Sequence, residues 1–246
     1  MRLSVCIATY NGARFLREQL DSILSQVQAM DEVLVADDCS TDNTQNVIVE
    51  YLGRVSLVCC DRVGSPVYNF ERVLLAARGD GIVLCDQDDV WLPGRLDMIR
   101  EHLQSADLVL LNGLVVDGGL RPLGGSVFEF IRVRPGFLSN LWKNSFIGCG
   151  MAFRKSSFLW AFPFPKNLPW HDWYLGLLAE LTGQVVRIDT PTFLYRRHGG
   201  NFSPTGERST NSVSMKLLFR LQILKAIFIA LSRKLIKKWK VEGTNE

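Results

Sequence analysis

Short apolar runs alternate with helical patterns along the first 85 residues, and this alternation constrains the fold more than any other feature of the sequence. Residues 3–8 and 32–36 have the composition of buried strands, and between them apolar side chains recur at helical spacing over 13–24. The same signals predict helices over 44–52 and 68–77 and strands over 55–59 and 81–85. Repeated βαβ units form a mostly parallel sheet with helices on both faces. We therefore predict an α/β fold with a Rossmann-like central sheet.

The second half of the chain has a less regular pattern. Residues 108–116 and 145–153 have the pattern of strands, the second with glycines inside it. Residues 185–195 are extended but include Pro191, and proline is confined to edge strands, strand starts and bulges. We therefore predict an edge strand or two short strands there. Residues 118–135 are rich in Gly, Pro and Arg and predict a mobile loop over a site.

The chain carries a basic segment on an otherwise acidic body. Residues 213–241 hold eight Lys or Arg and no Asp or Glu, which leaves 20 basic and 25 acidic residues elsewhere. A length of 246 residues with 47% hydrophobic content suits a single core. We predict one domain over 1–205 and a basic tail over 206–246. Because the basic balance is confined to the tail, it argues against a nucleic-acid partner.

The tail has the pattern of a basic amphipathic helix. Its apolar stripe consists of Leu217, Leu221, Leu224, Phe228, Leu231 and Leu235, and Lys and Arg fall on the other side. The longest charge-free run, 226–232, is far short of the roughly 20 residues that a spanning helix needs. Such a helix can lie in a membrane interface, pack on the domain, or pair with a second copy in a homodimer.

The six cysteines indicate a reducing compartment. No C-x-x-C pair occurs and most cysteines lie in apolar runs, which favours buried free thiols over disulfides or a zinc site. The N-terminal residues lead into a first strand and a polar helix, so we expect no signal peptide. These features predict a cytoplasmic protein.

Three carboxylates follow the predicted strand over 81–85. The sequence "CDQDDVW" (85–91) contains Asp86, Asp88 and Asp89. Like charges this close raise one another's pKa unless a cation, hydrogen-bond donors or water offset them. Open α/β sheets bind ligands outside the carboxyl ends of their strands. The acidic group therefore predicts a ligand site at this edge.

A second acidic group, "ADDCSTDNT" (36–44), follows the second strand in the same way. Ser40, Thr41 and Asp42 can all serve as helix N-caps, and we interpret Asp42 as a cap. Asp37 and Asp38 precede the cap region, so a ligand role and a structural role are equally open for them. Both acidic groups would face the same edge of one sheet.

No glycine-rich motif explains a nucleotide site at this edge. The chain has neither G-x-G-x-x-G after its first strand nor G-x-x-x-x-G-K-[ST]. The remaining possibility is a nucleotide held by carboxylates and a metal. Carboxylate oxygens suit Mg²⁺ or Mn²⁺, which bind through one or two carboxylates plus substrate phosphates. We therefore predict a nucleotide diphosphate bound with one of these cations.

Six motifs in order resemble family 2 of the nucleotide-sugar glycosyltransferases, in particular bacterial rhamnosyltransferase-like members. They are "ATYNGARFLREQLDSIL", "VADDCSTDNT", "DQDDVWLPGRL", "GCGMAFRKS", "HDWYLGLLAE" and "YRRHGGNFS", and the match spans roughly residues 2–203. The resemblance implies a GT-A fold and inverting transfer of a sugar from a nucleotide diphosphate. The Q/R-x-x-R-W motif of processive members is absent, which implies one sugar per encounter.

The resemblance also implies roles for particular residues at the nucleotide end of the site. Ala8 and Tyr10 match positions that line the pyrimidine pocket, and Asp38 matches the residue that hydrogen-bonds the base. Asp86 and Asp88 match the D-x-D pair, with Asp88 as the direct metal ligand. An alternative role for Asp86 is to hold the ribose.

Two further polar residues match functional positions of the family. Asp172, in "HDW", matches the general base, although from the sequence alone an N-cap for a helix beginning at Trp173 is equally open. His198, in "RRHGGN", matches a metal or diphosphate contact, with a structural role as the alternative. Arg196 and Arg197 could bind phosphate, but arginines on an edge strand are usually solvated.

The predicted activity is transfer of one sugar, with dTDP-rhamnose or a UDP-sugar as donor, at the inner face of the cell membrane. The resemblance implies lipid-linked acceptors at that face, and we therefore favour the membrane surface as the partner of the C-terminal helix. The acceptor would be a surface-polysaccharide or lipid-linked glycan. One alternative is a sugar nucleotidyltransferase, but the glycine-rich, basic N-terminal signature of those enzymes is missing. Another is a non-catalytic nucleotide-binding scaffold, which the retention of Asp86, Asp88 and Asp172 argues against.

Overall fold

A nine-stranded mixed sheet forms the centre of the described protein. The computed structural model describes residues 1–199 and 211–242, with side chains through Lys237. The strands are β1 (Leu3–Thr9), β2 (Glu32–Asp37), β3 (Ser56–Cys59), β4 (Gly81–Cys85), β5 (Val90–Trp91), β6 (Leu108–Asp117), β7 (Pro122–Ser126), β8 (Met151–Arg154) and β9 (Val185–Arg197). Their order is β3-β2-β1-β4-β8-β6-β9-β5, with β7 beside β6. The predicted domain boundary at 205–206 lies outside the described residues.

Helices connect and cover these strands. They are α1 (Ala13–Leu24), α2 (Thr44–Glu50), α3 (Pro66–Ala76), α4 (Arg95–His102), α5 (Val127–Ile131), α6 (Phe137–Trp142), α7 (Lys155–Phe158), α8 (His171–Thr182) and α9 (Val213–Glu242). The first four fall between successive strands, as the βαβ prediction requires. The sequence prediction of an α/β fold is confirmed.

The first four strands form the parallel half of the sheet. β1 pairs in parallel with β2 and with β4, and it places Thr9 opposite Asp37 and Ile7 opposite Cys85. β1, β2 and β4 are almost fully buried, which is why they are continuous apolar runs rather than alternating patterns, whereas β3 at the edge is partly exposed. Since parallel strands end at the same edge, the acidic groups after β2 and β4 lie on one side of the sheet, as predicted.

The second half of the sheet departs from the predicted pattern at β8. β8 runs antiparallel between β4 and β6, and it is shorter than the strand predicted over 145–153. A 3₁₀ turn at Gly148–Gly150 precedes it. A Cβ on Gly150 would lie 2.8 Å from the Leu111 carbonyl oxygen, so glycine allows the turn to approach β6 closely. The glycines therefore mark a turn, not a strand interior.

The loop predicted over 118–135 was wrong in its secondary structure. This stretch contains β7, which forms a hairpin with β6, and the short helix α5. Ser126 and Glu129 form a capping box at the start of α5, in which each side chain accepts a hydrogen bond from the other's backbone N–H. The Gly and Pro content indicated a loop, whereas the capping box at Ser126 and Glu129 is a signal for the start of a helix.

β9 is a single strand with irregular pairing, not the two short strands that Pro191 left open. Its register against β6 shifts at Asn112, which pairs with Pro191. The Asn112 side-chain amide donates to the Asp189 carbonyl at 2.9 Å, which supplies a hydrogen bond where the ladder is disturbed. On its other side β9 pairs with β5 only at Phe193 and Leu194. The edge prediction therefore fits the half that contains Pro191.

The C-terminal helix α9 packs on the domain through a face other than the predicted stripe. Ile223, Ala226, Ile227 and Ala230 are buried, and α9 contacts α8 and the 3₁₀ turn at Leu159–Ala161. Of the six predicted stripe residues, Leu231 is half-buried against the core, and the other five, Leu217, Leu221, Leu224, Phe228 and Leu235, are 39–72% exposed. Among the described residues, no helix is long and apolar enough to cross a bilayer. The helix therefore has two apolar faces, one covered by the domain and one open.

Gly176 allows α8 to pack against Phe146, and we expect Gly176→Ala to destabilise the fold. An added Cβ would lie 2.3 Å from ring atoms of Phe146, a buried side chain. Overpacking costs about 1–3 kcal/mol, more than the roughly 1 kcal/mol that alanine gains over glycine in a helix. Urea denaturation should show a lower midpoint than wild type. Gly119→Ala, where the nearest atom is 3.4 Å away, is the control. Equal midpoints for both variants would contradict this packing account.

Candidate active site

Asp86, Asp88 and Asp89 lie in the turn between β4 and β5, at the carboxyl edge of the parallel strands. Burial, with the negative charges of Asp88 and Asp172, raises the pKa of Asp86 to about 7. Such a shift arises where carboxylates converge without a compensating cation. The structure therefore brings the predicted D-x-D pair and Asp172 into one acidic site.

His198 and Asp88 meet in this site although 110 residues separate them. His198 Nε2 lies 2.8 Å from Asp88 Oδ2, and the imidazole packs on Phe15 with ring centroids 4.6 Å apart. β9 carries His198 back to the turn after β4, because Arg196 N donates to Asp89 Oδ1 at 3.1 Å. An imidazole nitrogen and a carboxylate oxygen side by side are a suitable ligand pair for a divalent cation.

Asp89 and Cys149 form a deeper acidic group with Asp86, and sequence reasoning gave neither a role. Ligand atoms of these three residues lie within 4.8 Å of one another. The Arg95 guanidinium is fully buried beside them and donates to the Cys149 carbonyl at 2.5 Å. Burial raises the pKa of the Cys149 thiol well above its ordinary value, and a thiol sulfur is a soft ligand, whereas Mg²⁺ and Mn²⁺ prefer oxygen. The more accessible Asp88 and His198 therefore suit a cation better.

Asp172 lies in the first turn of α8, one residue inside the helix. The N-cap position belongs to Trp170, so the N-cap interpretation of Asp172 was wrong. Asp172 Oδ1 accepts from the Trp173 backbone N–H at 2.7 Å, and burial raises the pKa of the carboxyl to about 6. A half-buried carboxylate with this pKa is ionised at neutral pH and retains appreciable basicity. These are properties of a general base.

His171, next to Asp172, was not singled out by sequence reasoning. Its ring packs on Phe70 with centroids 4.3 Å apart, and both ring nitrogens are buried without a hydrogen-bond partner among the described residues. Burial lowers the pKa of His171 to about 3, so the imidazole is neutral. No sequence signal distinguishes such a histidine from a surface one.

Tyr10 lies at the other end of this edge of the sheet, where Gln87 holds its backbone and its side chain is exposed to solvent. The Gln87 amide accepts from Tyr10 N at 2.9 Å and donates to Tyr10 O at 3.1 Å, so it ties the loop after β1 to the loop after β4. Tyr10 is 41% exposed, and the Arg62 guanidinium lies 5.7 Å from the centroid of its ring. Ala8, half-buried near the end of β1, precedes it. An exposed ring of this kind can stack on a base.

Asp38 joins Tyr10 at this end of the edge. The Asp38 backbone N–H donates to the Thr9 carbonyl at 2.9 Å, and the buried carboxylate accepts from the backbone N–H groups of Val63 and Gly64. Its place beside Tyr10 agrees with a base-binding role, while its hydrogen bonds show that it also holds the loop over 62–64.

The other acidic residues after β2 have structural partners. Asp37 is buried and accepts from Thr9, Ser40 and Gln45. Asp42 accepts from the Thr44 N–H at 3.0 Å, although Asn43 holds the N-cap position of α2. Asp42 therefore satisfies a first-turn donor of α2 from one position before the cap.

Arg196 is buried and not solvated as expected of an edge-strand arginine. It is 2% exposed, its guanidinium stacks 4.5 Å from the Phe15 centroid, and it pairs with Glu18. Its Nε donates to the Asp88 carbonyl at 2.7 Å, which fixes the turn that carries the acidic group. The expectation failed because β5 and α1 cover this part of β9.

Comparison with known proteins agrees with this arrangement. The family model "Glycosyl transferase family 2" matches residues 4–161. An uncharacterized glycosyltransferase of Nostoc is 26% identical over 88% of this chain and 71% of its own length. The dTDP-rhamnosyl transferase RfbG of Shigella flexneri is 26% identical over 79% of this chain and 72% of its own. The glucosyltransferase WfgD of Escherichia coli, named for UDP-Glc and a GlcNAc-diphosphoundecaprenol acceptor, is 27% identical over 76% and 73%.

Two solved structures share the fold. Staphylococcus aureus TarS 1–349 in complex with UDP-GlcNAc superposes with a TM-score of 0.69 at 20% identity, over 94% of this chain and 66% of that one. The mannosyltransferase PcManGT of Pyrobaculum calidifontis, with GDP-Man and Mn²⁺, gives a TM-score of 0.64 at 18% identity, over 94% and 73%. The chain spans 59% of the length of three other curated relatives that it matches.

The fold and the acidic sheet edge define a nucleotide-sugar glycosyltransferase of the GT-A class. The chain belongs to glycosyl transferase family 2.

Proposed function

We propose that the protein transfers a single sugar, with inversion at the anomeric carbon, from a nucleotide diphosphate to a glycan or lipid-linked glycan acceptor. The convergence of Asp86, Asp88 and Asp172 at one sheet edge carries this proposal. The D-x-D pair would hold the diphosphate end of the donor, and Asp172 would face the acceptor.

The proposed donor is a dTDP- or UDP-sugar, with dTDP-rhamnose as the first candidate. The exposed Tyr10 ring offers a stacking surface for a pyrimidine, and Ala8 and Asp38 line the same end of the edge. RfbG is named for a dTDP-rhamnosyl donor, and TarS structures contain UDP and UDP-GlcNAc. These names support a nucleotide-sugar donor.

The proposed cation is Mn²⁺ or Mg²⁺, held by Asp88 and His198 with Asp86 close by. Asp86, Asp88 and Asp172 bring negative charges together there, and a bound cation would offset their repulsion. A divalent cation bound there would neutralise charge that develops on the departing diphosphate. Arg196 keeps the turn in place through the Asp88 carbonyl. PcManGT, which shares the fold, is described with Mn²⁺.

The proposed chemical step is a direct displacement. Asp172 takes the proton from the acceptor hydroxyl as the acceptor oxygen bonds to the anomeric carbon. The bond from that carbon to the diphosphate oxygen breaks, and its electron pair leaves with the nucleotide diphosphate. One displacement with a single base inverts the anomeric configuration. We place the reaction at the cytoplasmic face of the membrane, and the six cysteines, all free thiols, support a reducing compartment.

A panel of nucleotide sugars tests this proposal. Purified full-length protein with Mn²⁺ should show a thermal shift with dTDP- or UDP-sugars and slow hydrolysis of one of them, because water can replace the acceptor. GDP-mannose is the comparison donor. Stabilisation by GDP-mannose alone would contradict the pyrimidine assignment. No stabilisation or hydrolysis with any donor would contradict the proposed function.

A further inference from the structure

Two helices present one open apolar surface. The exposed stripe of α9, formed by Leu217, Leu221, Leu224, Phe228 and Leu235, is not covered by any part of the domain within residues 1–199. Leu138 and Trp142, four residues apart and so on one face of α6, are 77% and 74% exposed. We call these seven residues the α6–α9 patch.

Arg220 joins the two parts of the patch. Its guanidinium donates to the Trp142 carbonyl, and it lies 5.1 Å from the centroid of the Trp142 ring. Arg220 precedes Leu221 and follows Leu217 by three positions, so Trp142 lies beside the first turns of the α9 stripe. Large apolar side chains exposed together in this way mark an interaction surface.

The charges around the patch identify its partner. Over the described side chains of 213–237, α9 carries six Lys or Arg and no acid; Arg233 and Lys234 contact the domain, and the other four, with Lys143 after Trp142, leave the patch region basic. Two copies meeting through this surface would bring their cations together, which disfavours a homodimer. An apolar stripe with basic flanks instead suits an anionic lipid surface, since cations bind headgroups while apolar side chains enter the interface.

We propose that an anionic bilayer docks on the α6–α9 patch, so that α6 in the domain and α9 in the tail enter the interface together. Because no described helix can span a bilayer, the contact is peripheral. It therefore includes a part of the body that the sequence pattern of the tail did not reveal.

Helix α6 connects the α6–α9 patch to the acidic site. Trp173 Nε1 donates to the Asn140 carbonyl at 2.8 Å. Asn140 lies in α6 between Leu138 and Trp142, and Trp173 follows Asp172. A lipid-linked acceptor in the bilayer would thus arrive near the proposed base; this last step rests on the proposed function, whereas the docking itself does not.

Vesicle binding by the full-length protein tests the docking. We expect binding to phosphatidylcholine vesicles that contain phosphatidylglycerol, weakened by salt and by removal of the anionic lipid. The double substitution Leu221→Gln with Phe228→Gln should weaken vesicle binding about tenfold or more, because two large apolar side chains can then no longer be buried in the membrane interface. Val49→Gln with Leu52→Gln, at positions 57% and 56% exposed on and just after α2, is the matched control. Equal binding by all three proteins would overturn the proposal.

Trp142 provides a direct readout of the α6 contribution. Brominated lipids quench indole fluorescence on contact, so Trp142→Phe should bind vesicles like wild type but lose part of the quenching. Unchanged quenching would remove α6 from the interface. Light scattering without lipid distinguishes the rival occupant: a dimer that Leu221→Gln with Phe228→Gln dissociates, with vesicle binding unaffected, would also overturn the proposal. Donor hydrolysis without vesicles is measured separately, so failure of the glycosyltransferase proposal does not affect this result.

Discussion

Replacing Asp172 by Asn should lower turnover by about 10²- to 10⁴-fold while leaving donor affinity nearly unchanged. General-base catalysis contributes a factor of this size, and the base contacts the acceptor hydroxyl and not the nucleotide. Asn retains an oxygen that can accept from the Trp173 N–H, so the start of α8 should persist. Turnover with donor and acceptor, beside calorimetry with the nucleotide alone, measures the two effects separately.

The pH dependence gives a second signature of the same residue. Because burial raises the pKa of Asp172 to about 6, the carboxylate is progressively protonated below that pH and can no longer accept a proton. Wild-type turnover should therefore fall as pH drops through about 6, whereas a base with an ordinary carboxyl pKa would fail near 4. The residual turnover of Asp172→Asn should not show this fall below about pH 6.

The contribution of Asp172 to folding stability depends on pH in the opposite direction to its contribution to turnover. Since the folded pKa is raised, the native state binds the proton more tightly than the unfolded chain, and stability falls as pH rises from about 4 to about 6. Asp172→Asn should thus be at least as stable as wild type at neutral pH. Asp189→Asn, at an exposed position on β9, serves as the charge-matched control. Near-normal turnover in Asp172→Asn, or a product that retains the donor configuration by NMR, would refute the mechanism.

Local patterns predicted the parts of the site that are close in sequence. The apolar run of β4 and the carboxylates after it are adjacent in the chain, so strand end and acidic group could be identified together. The same holds for β2 and Asp38. Both groups share an edge because parallel strands end on the same side, which the βαβ alternation already requires.

Contacts between strands that are distant in sequence could not be predicted from local patterns. His198 reaches Asp88 because β9 pairs with β5 and β6, and the irregular second half of the chain gave no pattern for that pairing. His198 entered through its resemblance to a family motif and not through spacing. The burial of Arg196 depends on the same strand order, since Glu18 and Phe15 come from α1.

The C-terminal helix shows a second limit of sequence-based prediction, which concerns apolar periodicity. Its sequence contains two apolar faces, and periodicity selected the one with Leu217 and Phe228 because its residues are larger. The domain covers the face with Ala226 and Ala230, whose small side chains allow close approach. Periodicity reports where apolar residues lie on a helix but not which of them meet a partner.

Replacing Asp88 by Asn should weaken binding of UDP or dTDP strongly in the presence of Mn²⁺, and without Mn²⁺ it should leave the binding equal to or tighter than that of wild type. Two carboxylates close to a diphosphate repel it, so binding by this edge depends on a cation that Asp88 holds. Loss of one carboxylate ligand removes charge from the site, whereas the stacking surface of Tyr10 is unchanged. Loss of a residue that only supports a metal ligand typically costs about 10- to 100-fold in metal affinity, and loss of the ligand itself should cost at least about tenfold in the metal-dependent part of nucleotide binding.

Two further variants make this result interpretable. Glu101→Gln, at an exposed position on α4, changes the net charge equally and should bind like wild type. Asp86→Asn separates the two roles open to that residue: a ribose contact would weaken nucleotide binding with and without Mn²⁺, whereas a metal ligand would weaken only the metal-dependent part. Calorimetric titration of nucleotide at fixed Mn²⁺, and without it, gives both affinities for each protein. If Asp88→Asn kept the full metal-dependent gain in affinity, Asp88 would not be a ligand, and the deeper group of Asp86, Asp89 and Cys149 would become the candidate.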